Sequence, residues 1–423
     1  MQALLATLEV VVLIGAAGCA AYWSVVAWRV RSEMRAVPRL EEGLQEGLEA
    51  GLDEGDDAPP SVCVVVPAHN ERDSIGALIR SLRAQDHPAM RVVLALDRCT
   101  DGTEAVARDA IGDDDRFEIV SIDACPDDWA GKVHAAWSGA ERSTGAADAA
   151  LLCFTDADCV FEPRALRAAC AMLERRKLDL LSLLTRLSHG AWFERLLQPA
   201  AVFELMRQYP IERANRAGER QRPFINGQFM LFRAEAYRAM GGHEAVRGEI
   251  LEDLAFGRLC KRRGLRSGVL PAGSMVRCRM YDALGAFRTG WKRIYAEGAQ
   301  RRSDRLARAA LRCALAGMVL PVLAIAAATW GVLMGSWVLG VVGLVGVAAW
   351  LAAWGNIHRA SGAPWVSLAG CLIGPVHTAL LLRAAGRELA RGVPVRWGGR
   401  SYVREDRAPA RRRAASPTTE GNA

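Results

Sequence analysis

The sequence predicts an α/β fold whose central domain has a mostly parallel sheet, flanked by transmembrane helices. Three observations lead there. Short Val-rich runs alternate with amphipathic segments between residues 61 and 300, and nearly uncharged apolar stretches lie on either side of that region. Acidic residues also fall where the Val-rich runs end.

The first apolar stretch, "ALLATLEVVVLIGAAGCAAYWSVVAW" at 3–28, carries one charge, Glu9. It can cross a bilayer core of about 30 Å at roughly 1.5 Å per residue. Trp23 and Trp28 stand where interfacial aromatics belong, and Arg29, Arg31 and Arg35 come next. A cleaved signal peptide would start with basic residues, and "MQALLATLEV" has none, so a retained anchor over 1–32 is expected. The arginines place the chain beyond the anchor in the cytoplasm. Residues 33–60 hold the acidic Gly-Leu repeat "RLEEGLQEGLEAGLDEGDDAPP", expected to be a solvated linker.

In the central domain, 61–300, "VCVVVP" at 62–67 reads as a buried strand. "RDSIGALIRSLRAQ" then sets Ile75, Leu78, Ile79 and Leu82 on one helical face. Strands at 91–97 and 117–123 come after it, with a helix starting near Thr100-Asp101 and another from about Lys132 to Arg142. "ALLCFTDAD" is the fourth strand, followed by the helix "PRALRAACAMLERR". Strand–helix alternation of this kind builds right-handed crossovers and a parallel sheet covered on both faces. Further on, "EILEDLAFGRLCKRRG" at 249–264 is an amphipathic helix with Glu252 and Asp253 in its first turn.

The membrane region, 301–384, starts with the basic flank "QRRSDRLARAALR" and continues from Cys313 to Trp354 without a charge, enough for two spans turning near Gly335-Ser336. The stretch at 361–382 is interrupted by Pro375 and His377. A third crossing there would export the arginine-rich tail, 385–423, against the charge rule, so a re-entrant or interfacial segment is preferred to a third span.

The net charge of +7 is concentrated beside apolar spans and in the tail, and no basic stripe is interleaved with aromatics, so no nucleic-acid partner is expected. The eleven cysteines show no CxxC spacing, and Cys63, Cys153, Cys313 and Cys371 lie inside apolar runs. They read as buried thiols of a reducing compartment rather than ligands or disulfides.

Ligands of open parallel sheets bind beyond the carboxyl ends of the strands. There the chain places "PAHNE" (67–71), Asp97, Asp156 and Asp158. Two carboxylates at i and i+2 at a buried strand's mouth can share the work of holding a hard divalent cation. Asp97 can accept hydrogen bonds from a nucleotide base or ribose. Asp-x-Asp alone is a weak signal, and the acidic runs at 113–115 and 127–128 are read as solvated loops. On the later helix, Asp253 and Glu252 read either as simple N-terminal charge or as a general base that takes a proton from an attacking hydroxyl.

Together "VVVPAHNERDSIGALIRSLRAQ", "LALDRCTDGT", "FTDAD", "NGQFMLFRAEAYRAMGGHE" and "EILEDLAFGRLCKRRG" resemble a family 2 glycosyltransferase of the GT-A fold over about 240 residues. "WAGKVHAAWSGA" and "VRWGGRSY" resemble its membrane subgroup, associated with hopanoid biosynthesis and with glycosylation of bacterial carotenoid acids. The resemblance implies that Pro67, Ala68, Asn70 and Glu71 line the nucleotide-sugar pocket, with Asp97 near the base and Lys132 on the diphosphate or the nucleotide. Asp156 and Asp158 match the metal-binding motif, Asp158 as the direct ligand of Mg²⁺ or Mn²⁺. Asp253 matches the catalytic base beside Glu252, and Gly227 and Gln228 border the acceptor side. It further implies a nucleotide-sugar donor, most commonly a UDP-sugar, and an inverting transfer to a membrane lipid. A multi-pass protein of a bacterial-type cytoplasmic membrane, with the catalytic domain inside, is the corresponding location.

Processive synthases of the family carry Gln-x-x-Arg-Trp after the acidic pair; here "QRRSD" at 300–304 does not match, so single transfer is favoured over polymer synthesis. The segment at 190–206 reads equally as a bilayer-surface helix and as a core helix. A nucleotidyltransferase would want a Gly-rich loop after the first strand, which "PAHNERDSIG" lacks, and a non-catalytic scaffold would not need the acids at the rim.

Overall fold

The computed structural model describes residues 2–49, 59–216, 218, 221–397, 400–403 and 405–408. Ten strands build the central domain: β1 (Val62–Ala68), β2 (Met90–Asp97), β3 (Phe117–Ile122), β4 (Leu151–Thr155), β5 (Cys159–Phe161), β6 (Leu180–Leu184), β7 (Arg186–Leu187), β8 (Phe229–Arg233), β9 (Ser267–Pro271) and β10 (Val276–Cys278). Seven form one sheet in the order β3-β2-β1-β4-β8-β6-β9. The β1–β2, β2–β3, β1–β4 and β6–β9 pairs are parallel, and β8 runs against both its neighbours. β5, β10 and β7 make a small second sheet.

Alternation along β1 explains the two layers. Val62, Val64 and Val66 face one core with the helices Ile75–Arg83 and Ala165–Arg175. Cys63 and Val65 face the other, with the helix Gly131–Arg142 and the rings of Phe232 and Phe256. Burying each such Val or Leu is worth roughly 1.5–3 kcal/mol. Both faces of the sheet are covered, as a parallel sheet requires.

Helix Leu40–Glu49 occupies part of what composition alone reads as a solvated linker. Leu40 is fully buried, and Gly43 lies against Met172, where an added Cβ would come within 2.6 Å of its Cγ. Leucines four apart give that short stretch an apolar stripe to bury. The remainder of the acidic repeat, residues 50–58, lies outside the described residues.

Among the described residues, three apolar helical stretches are long enough to cross a membrane, in Gln2–Ala36, Ser303–Met334 and Trp337–Ser361. They pack through Ala16, Cys19, Trp23, Ala324, Ala327, Trp350 and Trp354. Gly343 and Gly331 permit close approach, since a Cβ there would fall 2.2 Å from the backbone nitrogens of Ala328 and Gly340 respectively. Small residues at helix crossings are the usual means of association where water supplies no driving force.

The interrupted stretch at 361–382 becomes a 3₁₀ turn, Trp365–Gly370, and a helix, Ile373–Ala390. That helix ends in Arg383, Arg387 and Glu388 and packs on Ser303–Ala314 and on the helix Trp192–Gln208. The latter helix is held between the sheet domain and the apolar helices, with Phe193, Leu197 and Ala201 buried and Trp192 exposed. The end of the basic tail, 409–423, lies outside the described residues, as do 398, 399 and 404.

Candidate active site

The carboxyl ends of β1, β2 and β4 converge on one rim because those strands are parallel neighbours. Antiparallel β8 adds its amino end to the same rim: Phe229 pairs with Thr155, so Gly227 and Gln228 stand beside Asp156.

Beyond β1 the backbone leaves its ordinary range. Asn70 adopts φ +57° and Arg98, after β2, φ +48°. Left-handed conformations in non-glycine residues are uncommon and must be held by their surroundings. Here Asn70 Oδ1 accepts from the Thr100 amide at 2.8 Å, and His69 Nδ1 lies 2.6 Å from the Asp97 carbonyl. Pro67 and Ala68 are buried at the strand's end. Glu71 accepts from Ser74 Oγ at 2.7 Å, and burial raises its pKa. Asp97 is buried and receives a two-point contact from Arg98, Nε at 2.8 Å and Nη2 at 2.7 Å.

The acids of β4 meet those of the helix Glu252–Arg263 through one lysine. Lys132, in the first turn of Gly131–Arg142, places Nζ 2.6 Å from Asp156 Oδ1 and 2.8 Å from Glu252 Oε1. Burial works against each of these three charges. The two carboxylates nevertheless hold the ammonium protonated far above its usual range, and the ammonium keeps Glu252 below its own. Asp156 stays raised, because burial outweighs the help from Lys132.

Asp253, next in sequence, is held differently. Its Oδ2 accepts from the Gly227 amide at 2.9 Å and its Oδ1 from the Leu254 amide at 2.6 Å. Burial, and then repulsion from Glu252, push its pKa up to about 6, suited to a base working near neutrality. Gly227 must be small: a Cβ would come within 3.2 Å of Asp253 Oδ2, 3.3 Å of Glu252 Oε1 and 3.3 Å of Lys132 Nζ.

Asp158 lies beside two thiols. Its carboxylate, Cys159 Sγ and Cys278 Sγ all fall within 4.8 Å of one another, with Cys159 and Cys278 paired across β5 and β10. Burial first, then Asp156 and Glu71, raise the Asp158 pKa to about 7. A buried carboxylate crowded by two others is a site short of positive charge, and the carboxylate oxygens, rather than the two thiols, suit a hard divalent cation. The Gln228 side chain turns inward: its Oε1 accepts from Thr185 and Asn226, so its Nε2 donates to Cys278 Sγ at 3.0 Å. Gln228 thus buttresses the floor beneath Asp158 rather than facing outward.

Residues to which the sequence alone assigns no role complete the rim. Arg293, half-buried between the buried Trp291 and Tyr295, lies within electrostatic reach of Glu252, Asp156 and Asp253. An arginine inside "WKRIY" is the signal that could have found it. Tyr402 comes from a two-stranded hairpin, β11 (Val395–Trp397) and β12 (Arg400–Tyr402), and its hydroxyl accepts from the Gly131 amide at 3.2 Å. A Cβ on Gly131 would be 3.4 Å from Arg98, 3.6 Å from Asp97 and 4.0 Å from Tyr402, so the four residues meet at one point.

Residues 59–283 match the family described as glycosyltransferase like family 2. The chain belongs to that family. The mostly parallel sheet, with helices long and apolar enough to cross a membrane at its sides, is accordingly a GT-A domain in a membrane-associated setting. A 4,4'-diaponeurosporenoate glycosyltransferase of Staphylococcus aureus strain MRSA252 is 26% identical over 248 residues, 56% of this chain and 62% of that protein. The chain thus spans less than two thirds of the curated relatives it matches. Solved structures similar to it include mannosyltransferase PcManGT from Pyrobaculum calidifontis in complex with GDP-Man and Mn²⁺, at 18% identity, 90% of this chain, 98% of that one and TM-score 0.48. Another is Staphylococcus aureus TarS 1–349 in complex with UDP-GlcNAc, at 14% identity, 82% of this chain, 98% of that one and TM-score 0.39.

Proposed function

We propose that this protein transfers a sugar from a nucleotide-sugar to a membrane lipid, in one inverting, cation-assisted displacement at the rim of the GT-A sheet. The observation that carries this reading is the Lys132 bridge between Asp156 and Glu252, which joins the donor-side acids to the helix that presents Asp253. The Staphylococcus aureus relative, named for transfer to a carotenoid acid, supports a lipid-like acceptor.

Asp253, held by two backbone amides, takes the proton of the acceptor hydroxyl. The oxygen then forms its bond to the anomeric carbon from the side opposite the nucleoside diphosphate. The bond from that carbon to the diphosphate breaks, and its electron pair leaves with the phosphate. Asp158, with Asp156 near it, would hold the divalent cation, Mg²⁺ or Mn²⁺, which when bound neutralises charge on a diphosphate. Arg293 adds a fixed positive charge on the same side. Pro67, Ala68, Asn70, Glu71 and Asp97 shape the nucleotide pocket, and Asp97 with Arg98 offers acceptors and donors to a base and ribose. The membrane helices are read as an anchor and a two-span region, with the catalytic domain on the cytoplasmic side of a bacterial-type inner membrane.

Membranes carrying the protein, incubated with nucleotide-sugars labelled in the sugar and with Mn²⁺, should release nucleoside diphosphate and gain a labelled lipid. Release of pyrophosphate instead would mean nucleotidyl transfer and overturn the reading. Lipid mass spectrometry of cells with and without the protein should show a hexose-mass difference in one lipid class.

A further inference from the structure

A cavity of about 590 Å³ opens beside the helix that carries the acidic pair, and six arginines line it: Arg207, Arg222, Arg258, Arg305, Arg308 and Arg312. Its volume suits a small-molecule group rather than a protein surface. Leu254, the residue after Asp253, forms part of the wall, whereas Asp97, Asp156 and Asp158 do not. The cavity therefore flanks the position of the base without coinciding with the donor residues.

No carboxylate is among the described residues lining it, and the described acids nearby do not balance the arginines. Arg207 and Arg312 share one buried carboxylate, Glu204, at 2.9 and 2.8 Å. Glu249 stands 3.9 Å from Arg258 and 3.7 Å from Arg301. Asp304 serves Arg308 at 2.8 Å but also Arg302 at 2.9 Å. Arg305 reaches a neutral group, Gln300 Oε1, at 2.6 Å. Arg305, Arg308 and Arg312 recur on one side of the helix Ser303–Ala314, which continues directly into an apolar span. Arg312 and Glu204 also border a narrow crevice lined by Trp23, Phe203 and Trp354 among the membrane helices. Arg312 thus lines both the charged chamber and the apolar crevice, where the helix Ser303–Met334 leaves the sheet domain.

We infer that this cavity is the acceptor's headgroup site and that it takes an anionic group, a carboxylate or a phosphate, carried beside the accepting hydroxyl on an amphiphile whose chain runs toward the membrane helices. Guanidinium forks match both anions in geometry and charge. The inference rests on the reading of the protein as a lipid glycosyltransferase and narrows its acceptor class. A neutral lipid would leave the arginines facing one another across the chamber.

The test uses the full chain in phosphatidylcholine nanodiscs, with hexadecyl phosphate, palmitic acid, hexadecanol and inorganic phosphate as probes. Hexadecyl phosphate and palmitate should bind about tenfold or more tightly than hexadecanol. In the Arg222→Gln/Arg305→Gln variant, both of whose side chains are exposed, that preference should shrink to about twofold while the melting temperature stays unchanged. Equal binding of acid and alcohol, or a preference untouched by the double substitution, would overturn the inference. Inorganic phosphate binding as tightly as hexadecyl phosphate would overturn the amphiphile and leave a soluble anion. Discrimination without any sugar transfer would sink the proposed function alone; transfer without discrimination would sink this inference alone.

Discussion

At the scale of single residues, the site is an arrangement of charges that cannot be removed one at a time. Lys132 is mostly buried between two carboxylates, so Lys132→Met strands Asp156 and Glu252 without their cation. Breaking a buried pair in this way costs about 3–5 kcal/mol, and denaturant midpoints should fall accordingly together with activity. A stable variant would show that the bridge is not what holds these acids together. In the proposed transfer, with Mn²⁺ saturating so that Asp158 stays ionised, Asp253 sets the pH profile. Only the ionised carboxylate is a base, and its pKa is raised to about 6, so protonation sets in there as pH falls. The value of kcat/KM should therefore be flat above about pH 7 and drop about tenfold per unit below 6. A profile flat down to pH 5 would exclude Asp253 as the base.

At the scale of elements, the residues legible in the sequence are those at a strand end or a helix start. Asp97, Asp156 and Asp158 end Val- and Leu-rich runs, and Asp253 opens an amphipathic helix, so periodicity alone delivers them to the ends of their elements. The rest depends on pairing between distant elements. The convergence of Lys132, Asp156 and Glu252 needs a helix, a strand and a second helix far along the chain. Cys278 and Cys159 become neighbours only because β10 lies antiparallel to β5, so thiols read as inert core residues stand beside Asp158. The acidic repeat misled because its Gly and Glu content outweighs two leucines that find a partner in Ala165–Arg175. The hairpin β11–β12 brings Tyr402 to Gly131. Losing its hydroxyl bond in Tyr402→Phe should raise the donor's KM severalfold, up to about tenfold, with the acceptor's KM unchanged. Equal shifts in both constants would place Tyr402 outside the donor pocket.

At the scale of the whole molecule, the catalytic domain and the apolar helices form one continuous structure. The helix Trp192–Gln208 touches the helix Ile373–Ala390 and the span Trp337–Ser361, while its far end, with Arg207 and Gln208, reaches the arginine cavity. Close helix packing at Gly343 holds the membrane part, so Gly343→Leu should lower the melting temperature of the detergent-solubilised protein by several degrees. An unchanged melting temperature would mean that the Leu320–Met334 and Trp337–Ser361 helices separate without cost. The central claim is that donor-side acids and an acceptor-side base are separate parts of one transfer site. Its most direct measurement compares nucleotide-sugar binding and sugar transfer in the wild type and in Asp253→Asn. The account predicts donor binding within about twofold of wild type and transfer reduced by about 10²-fold or more. Donor binding and transfer lost in equal measure would contradict it.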